Sequence, residues 1–171
     1  MEFYEIVSKR RSIRSFSSQP VEEEKLQKIL ETANRAPSAG NLQAYEVYVV
    51  RDGVGRQTLS TAAFRQQFVQ SAPVVLVFCA NPVRAAARYG RRGERLYASQ
   101  DATIACAFAM LAATAEGLST TWVGAFDDAA VHAAIGSPEG LRPVAILPIG
   151  YAAENPGATA RRRLSDLIHN L

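Results

Sequence analysis

The chain has 171 residues, 48% hydrophobic and 20% charged, with a formal net charge of +3. These values suit one globular domain over 1–171 with a buried core, and they speak against a nucleic-acid stripe. The cations are clustered at 9–14, 84–95 and 161–163, a pattern that suits a small anion.

Residues 2–10 carry Phe3, Ile6 and Val7 at helical spacing and predict a short amphipathic helix. Acids come early in it and no apolar h-region follows, so it does not read as a signal peptide. The stretch KRRSIRSF (9–16) sets Lys9, Arg10, Arg11 and Arg14 around Ser12. Extended backbone over 11–16 would put Ser12, Arg14 and Phe16 on one face, with Arg10 turning in from the helix end. Two guanidinium forks and a hydroxyl around one point suit phosphate oxygens. A helix C-terminus repels anions, so such a socket would depend on its arginines. The plain alternative is a solvated basic turn.

Segment 21–36 is a helix, with Leu26, Ile29, Leu30 and Ala33 in one stripe and acids in its first turn. APSAGN (36–41) breaks it. Ser38, Asn41 and Gln43 then present hydroxyl and amide groups, either to a heteroaromatic ring or to their own turn. YEVYVV (45–50) is a strand, and 54–63 a short helix. APVVLVFCAN (72–81) is a continuous apolar run, the sign of a strand buried on both faces. The basic stretch 84–95 reads as a loop or helix entry. Segment 95–118 is a long Ala-rich helix with Gly117 as its C′ residue, and its small residues would let another helix approach closely. TTWVGAF (120–126) is strand and loop, with Gly124 and Ala125 small enough to let a ligand near the backbone. DDAAVHAAIG (127–136) is a helix capped by Asp127, RPVAILPIGY (142–151) a strand, and 152–171 a loop-rich tail. Interleaved helices and strands argue α/β or α+β.

Cys79 and Cys106 form no CxxC and no disulfide framework, which points to a reducing cytoplasm. His132 and His169 have no Cys or His nearby, so a dedicated metal site is not expected. The longest apolar stretches fall short of the ~20 residues of a membrane helix. No Ser-His-Asp set, paired carboxylate site, P-loop or GxGxxG is present, so any chemistry would rest on a cofactor.

In order along the chain, RRSIRSF, APSAGNLQ, SAPVVLVF, SQDATIACAFAMLAA, GLSTTWVGAFD, RPVAILPIGY and RRRLSDLIH resemble the nitroreductase family of FMN-dependent oxidoreductases. The resemblance implies an α+β fold, a central mainly antiparallel sheet flanked by helices, and an intertwined homodimer built on the Ala-rich helix. FMN would lie between the two chains. Arg10, Ser12 and Arg14 would hold its phosphate and pyrimidine edge, with Arg11 contributing and Arg161 or Arg162 completing the phosphate cluster. Pro37, Ser38, Ala39 and Asn41 would reach the flavin from the partner chain. Gln66 lies where such proteins often place a polar contact to the pyrimidine ring. Val123, Gly124 and Ala125 would line the ring, with a backbone N–H aimed at N5. NAD(P)H would pass hydride to N5 and leave, and a nitroaromatic, quinone or related acceptor would follow in a ping-pong cycle. Arg14 would offset negative charge on the flavin's N1–C2=O edge, and no protein residue would act as nucleophile.

The chain departs from the family pattern in three places. It has Gln43-Ala44-Tyr45 where Gln-Pro-Trp is frequent, Ala125 where a second Gly is frequent, and Arg162-Arg163 where Lys-Pro follows the tail arginine. The first two are expected to reshape the pocket wall. The long insertion that covers the active site of larger members, between the 72–80 strand and the Ala-rich helix, is missing. Three competing readings are a family member acting on flavin or an unusual substrate, a structural dimer with a degenerate flavin site, and a non-enzymatic basic module. The last predicts strongly salt-dependent binding to polyanions.

Overall fold

A computed structural model describes residues 2–170; Met1 and Leu171, the ends of the expected domain and tail, lie outside them. Helix α1 (Phe3–Lys9) ends where Arg11 Nη1 donates to Ser8 O at 2.5 Å and Arg10 O at 2.9 Å, partnering carbonyls that a helix end leaves open. The chain then runs extended. Ser12 bridges Thr120 in parallel, and Phe16 bridges Ala152 antiparallel. The expected alternation breaks between them. Ile13 and Phe16 are both buried and Arg14 is exposed, so burial does not alternate, although Arg14 and Phe16 line one cleft. The cause is Glu154, whose Oε1 accepts from Arg14 N at 2.5 Å and Ser15 N at 3.1 Å. Successive amides of a regular strand point to opposite sides; here both turn to one carboxylate.

Helix α2 (Glu23–Asn34) buries Leu26, Ile29 and Ala33, as its stripe predicts. Strand β1 (Tyr45–Val50), helix α3 (Gly53–Ala62) and a short helix α4 (Gln67–Ser71) lead into strand β2 (Val74–Ala80). Asp52 caps α3 by accepting from Gly55 N at 2.7 Å. No periodicity announced α4, which is only 5 residues long.

The basic stretch after β2, read as a loop or helix entry, is helical. Helix α5 (Pro82–Arg92) starts at Pro82, with Asn81 Oδ1 accepting from Arg84 N at 3.0 Å. A wide π-type turn, Gly93–Tyr97, joins it to helix α6 (Ala98–Ala115). Gly117 follows α6 with φ +76°, the left-handed residue expected there. Strand β3 (Ser119–Thr120), helix α7 (Asp128–Ile135) and strand β4 (Arg142–Gly150) complete the elements that place the site. Asp127 caps α7 through Ala130 N at 2.8 Å.

The strands form one antiparallel sheet in the order β1-β2-β4-β3, flanked by helices, an α+β architecture. β2 lies inside it and every residue of it is buried. Val74, Leu76, Phe78 and Ala80 face the core against α2 and α6. Val75, Val77 and Cys79 face the core against α3, α4 and α7. The unbroken apolar run of β2 is thus explained by two covered faces.

The helical path Pro82–Ala115 is long and apolar enough, by length and composition, to cross a membrane, which the sequence reading did not expect. In this fold α6 is a core helix. It packs on α2 and the sheet, and it carries a buried carboxylate, Asp101, bonded to two backbone amides.

Candidate functional site

The pairing of residues 15–17 with 151–153 brings the start of the tail beside the N-terminal basic stretch. Ser17 N donates to Tyr151 O and Ala153 N to Ser15 O, each at 2.9 Å. The result is a cleft of about 560 Å³ lined by Arg10, Arg11, Ser12, Arg14 and Arg161, with Pro156–Thr159 as its far wall. Four guanidinium groups and no carboxylate line it, so its field favours an anion. The nearest tail carboxylate, Glu154, is occupied by the amides of Arg14 and Ser15. It fixes the backbone of the basic stretch without lining the cleft.

The five residues are not equivalent. Arg11 spends one nitrogen on the end of α1. Arg161 Nη1 donates to Thr159 Oγ1 at 2.6 Å, which holds it in the far wall. Among the described residues, the side chains of Arg10 and Arg14 have no hydrogen-bond partner in the protein. Arg14 also lines an adjoining cleft of about 500 Å³ with Phe16, Gln67, Phe68, Gln70 and Ser71, so it stands where the two clefts meet. Arg162 lies outside both clefts: its Nη2 donates to Asp166 O at 2.7 Å.

Gln66 precedes α4, and its amide Nε2 donates to Ala63 O at 3.0 Å and Ala125 O at 3.2 Å. It is tied to the 123–125 segment, while its neighbour Gln67 shares a cleft with Arg14. Sequence reasoning passed over Gln67 because α4 is too short to show which glutamine it presents. Val123 is buried and exchanges both backbone bonds with Ile146 at 3.0 Å, so its N–H is already used. Gly124 and Ala125 are exposed, and among the described residues no protein acceptor takes either N–H.

Pro37, Ser38 and Ala39 line a different cleft of about 600 Å³, walled by Leu96, Tyr97 and the first turns of α6. This loop is wound tightly: Gly40, Asn41 and Gln43 have φ of +55°, +57° and +42°. Such a conformation is costly for Gln43 and persists only when its surroundings hold it. Asp101 does so, accepting from Ala39 N at 2.9 Å and Ala44 N at 3.3 Å. Ser38 Oγ accepts from Gln43 N at 3.0 Å, and Gln43 Nε2 donates to Asn41 Oδ1 at 2.7 Å. Within one chain these polar groups therefore serve their own turn. Ala44 and Tyr45 are buried in the core, with Tyr45 Oη donating to Ala33 O at 3.2 Å, so neither reshapes a pocket wall as expected.

The sequence matches the Nitroreductase family over residues 7–69 and 58–151. It is 35% identical to a Thermus thermophilus protein named NADH dehydrogenase, over 94% of this chain and 91% of that one. It is 30% identical to the FMN reductase [NAD(P)H] of Bacillus subtilis, over 94% of this chain and 70% of that one. The fold superposes on the NADPH:FMN oxidoreductase of Vibrio harveyi, solved with NAD+, with a TM-score of 0.90 and 27% identity over 98% of this chain and 76% of that one. With a family match across most of its length and a relative alike over nearly all of it, the chain belongs to the Nitroreductase family.

Proposed function

We propose that this chain, an NAD(P)H-dependent oxidoreductase of its family, binds FMN in the arginine-lined cleft and works as a homodimer. The observation that carries the reading is the junction at Arg14. On one side lie three further arginines and Ser12, suited to a phosphate monoester; on the other lie Gln67 and the polar surface of α4. The free N–H groups of Gly124 and Ala125 add donors that the protein itself leaves unused. This donor set fits a flavin mononucleotide.

Arg10, Arg14 and Arg161 would hold the phosphate, with Ser12 donating its hydroxyl. Arg11 would add its charge while capping α1, and Arg162 would act only as a more distant cation. Arg14 would also face the pyrimidine edge, where its charge would offset negative charge on the ring. Gly124 or Ala125 would supply the N–H for N5, since that of Val123 is engaged. Gln66 would set the 125 carbonyl, and Gln67 would meet the ring edge. The chemistry supplied by the bound group is two-electron transfer: hydride from the nicotinamide in, and both electrons out to a nitroaromatic, quinone or related acceptor, with protons from solvent. Donor and acceptor would occupy the same face in turn, in a ping-pong cycle.

Support for the dimer comes from apolar surface left uncovered in one chain. Phe3, Tyr4 and Val7 of α1 and Leu164, Leu167 and Ile168 of the tail are 48–85% exposed. Apolar side chains exposed in such number on two segments suit a surface that a second copy covers. Pro37, Ser38 and Ala39 lie on a different cleft from the arginines, as they would, with the exposed Asn41 beside them, if they served the partner's flavin. Two free, buried cysteines fit a reducing, cytoplasmic setting.

The test is an absorbance spectrum of the purified protein, recorded without oxygen before and after NADH or NADPH. Visible flavin bands that bleach with the nucleotide, and return with a quinone, are expected. A protein that stays colourless after soaking in FMN would overturn the proposal and favour the basic anion-binding module.

A further inference from the structure

The second basic cluster, 84–95, takes no part in the arginine-lined cleft, yet it is built with care. It holds Arg84, Arg88, Arg91, Arg92 and Arg95 against a single acid, Glu94. Among the described residues only Arg84 has a carboxylate partner, Glu46 at 3.4 Å. The other four are exposed and unpaired.

The backbone folds this segment onto itself. Gly90 has φ +52° and ψ −143°, a conformation open essentially to glycine alone. The bend brings Gly93 so close to α5 that a Cβ there would lie 2.4 Å from Ala85 O. Tyr89 and Tyr97 then meet edge to face, with centroids 5.2 Å apart. Arg88 sits over the first ring and Arg92 over the second, each at 5.5 Å, and Arg92 Nε donates to Tyr97 Oη at 2.9 Å. Two guanidinium groups are thus held on one aromatic pair, with less rotamer freedom than free arginines have.

The position matters as much as the charge. Arg88 Nη1 donates to Gly40 O at 3.1 Å and Arg84 Nη1 to Gln43 O at 3.2 Å, so α5 is pinned to the 37–43 loop. Tyr97 lines the same cleft as Pro37, Ser38 and Ala39. Like charges crowded this way repel, and a bound anion offsets the repulsion. A nicotinamide dinucleotide whose ring entered that cleft would have these arginines close to its rim, where its adenosine end could lie, because α5 is pinned to the loop that lines it. A ribose 2′-phosphate is a monoester with close to two negative charges, the group that guanidinium forks bind best.

We propose that Arg88, Arg91, Arg92 and Arg95 recognise the 2′-phosphate of the hydride donor, so that the protein prefers NADPH to NADH; this rests on reading the 37–41 loop as a wall of the flavin site. The test compares wild type with Arg91→Ala/Arg95→Ala. These side chains are exposed and make no bond in the fold, so the variant keeps its structure, which circular dichroism checks. Adenosine 2′,5′-bisphosphate and 5′-AMP are titrated by calorimetry, and kcat/KM is measured for both dinucleotides. Wild type is expected to bind the bisphosphate about tenfold more tightly, and the variant to lose that margin along with about tenfold of its NADPH-over-NADH preference. Equal binding of the two nucleotides by wild type, or a margin that survives the substitutions, would overturn the proposal. A colourless protein that still prefers the bisphosphate keeps the phosphate site and removes the flavin reading. A yellow one with no preference does the reverse.

Discussion

Asp101, buried within the central helix, accepts the N–H of Ala39 at 2.9 Å and that of Ala44 at 3.3 Å, so one carboxylate ties down both ends of a loop. Between those points the backbone holds three left-handed residues. The carboxylate holds that winding in place, because the amide of buried Ala44 and that of half-buried Ala39 would otherwise lose their partner. Asp101→Asn keeps the size but turns one acceptor into a donor, facing an N–H with an N–H. It is expected to lower unfolding free energy by about 2 kcal/mol, read by urea denaturation. An unchanged midpoint would show that the loop stands without its anchor.

Gly90 separates backbone strain from packing. A Cβ there meets no atom within 4 Å, so Gly90→Ala adds no clash. Any effect comes from its φ of +52° and ψ of −143°. The expected loss is about 1–3 kcal/mol, visible as a lower melting temperature. Gly40→Ala should behave differently, since its Cβ would lie 2.4 Å from Tyr89 Oη and 2.7 Å from Arg88 Nη1. It would displace the Tyr89 hydroxyl and the Arg88 guanidinium from the loop, and is expected to weaken NADPH discrimination as well as stability. Equal melting of the two variants with intact discrimination would refute the pinned arrangement.

Much of this architecture was legible in the residues. The stripe of Leu26, Ile29 and Ala33, the unbroken apolar run of β2 and the cap at Asp127 each follow from short-range rules, and each stands where those rules put it. The grouping of Arg10, Ser12 and Arg14 could be read from the local pattern, but the joining of Arg161 to them was suggested only by a family resemblance, because pairing of 15–17 with 151–153 spans most of the chain. What stayed hidden depended on tertiary contacts. Glu154 rotates the amides of Arg14 and Ser15 and so spoils the simple alternation. The 84–95 segment left loop and helix entry both open because its arginines and glycines mask helical spacing, and its bend at Gly90 is accompanied by packing of Gly93 on Ala85 and of Tyr89 on Tyr97.

The cysteines give a pH dependence with a definite sign. Burial pushes the Cys79 thiol up to about 12, with the nearby Glu46 charge adding to it, and burial alone raises Cys106. The folded state therefore keeps protons that the unfolded chain gives up from about pH 9. Stability is expected to fall as pH rises from that point toward 12. Urea midpoints measured on either side of the ordinary thiol range check this, and Cys79→Ala should flatten the slope. The same protonation makes both thiols slow to alkylate until the protein unfolds. Rapid labelling of the folded protein would contradict their burial.

Arg14 and Arg11 line one cleft but are held differently, and that difference separates binding from folding. Arg14's side chain has no partner among the described residues, so Arg14→Ala is expected to leave the melting temperature of the flavin-free protein within about a degree while raising the FMN dissociation constant about 10- to 100-fold. Arg11 also caps α1 through Ser8 O and Arg10 O. Arg11→Ala should lower the stability of the flavin-free protein by about 1 kcal/mol and weaken FMN less. Ser38→Ala, which removes an acceptor of the Gln43 amide on the other cleft, should change FMN binding less than Arg14→Ala. Fluorescence titration of FMN into each flavin-free variant, alongside thermal melts, gives both readouts. Full FMN occupancy in Arg14→Ala at stoichiometric flavin would mean that the two clefts are not joined by one ligand, because the residue standing at their junction would then be dispensable.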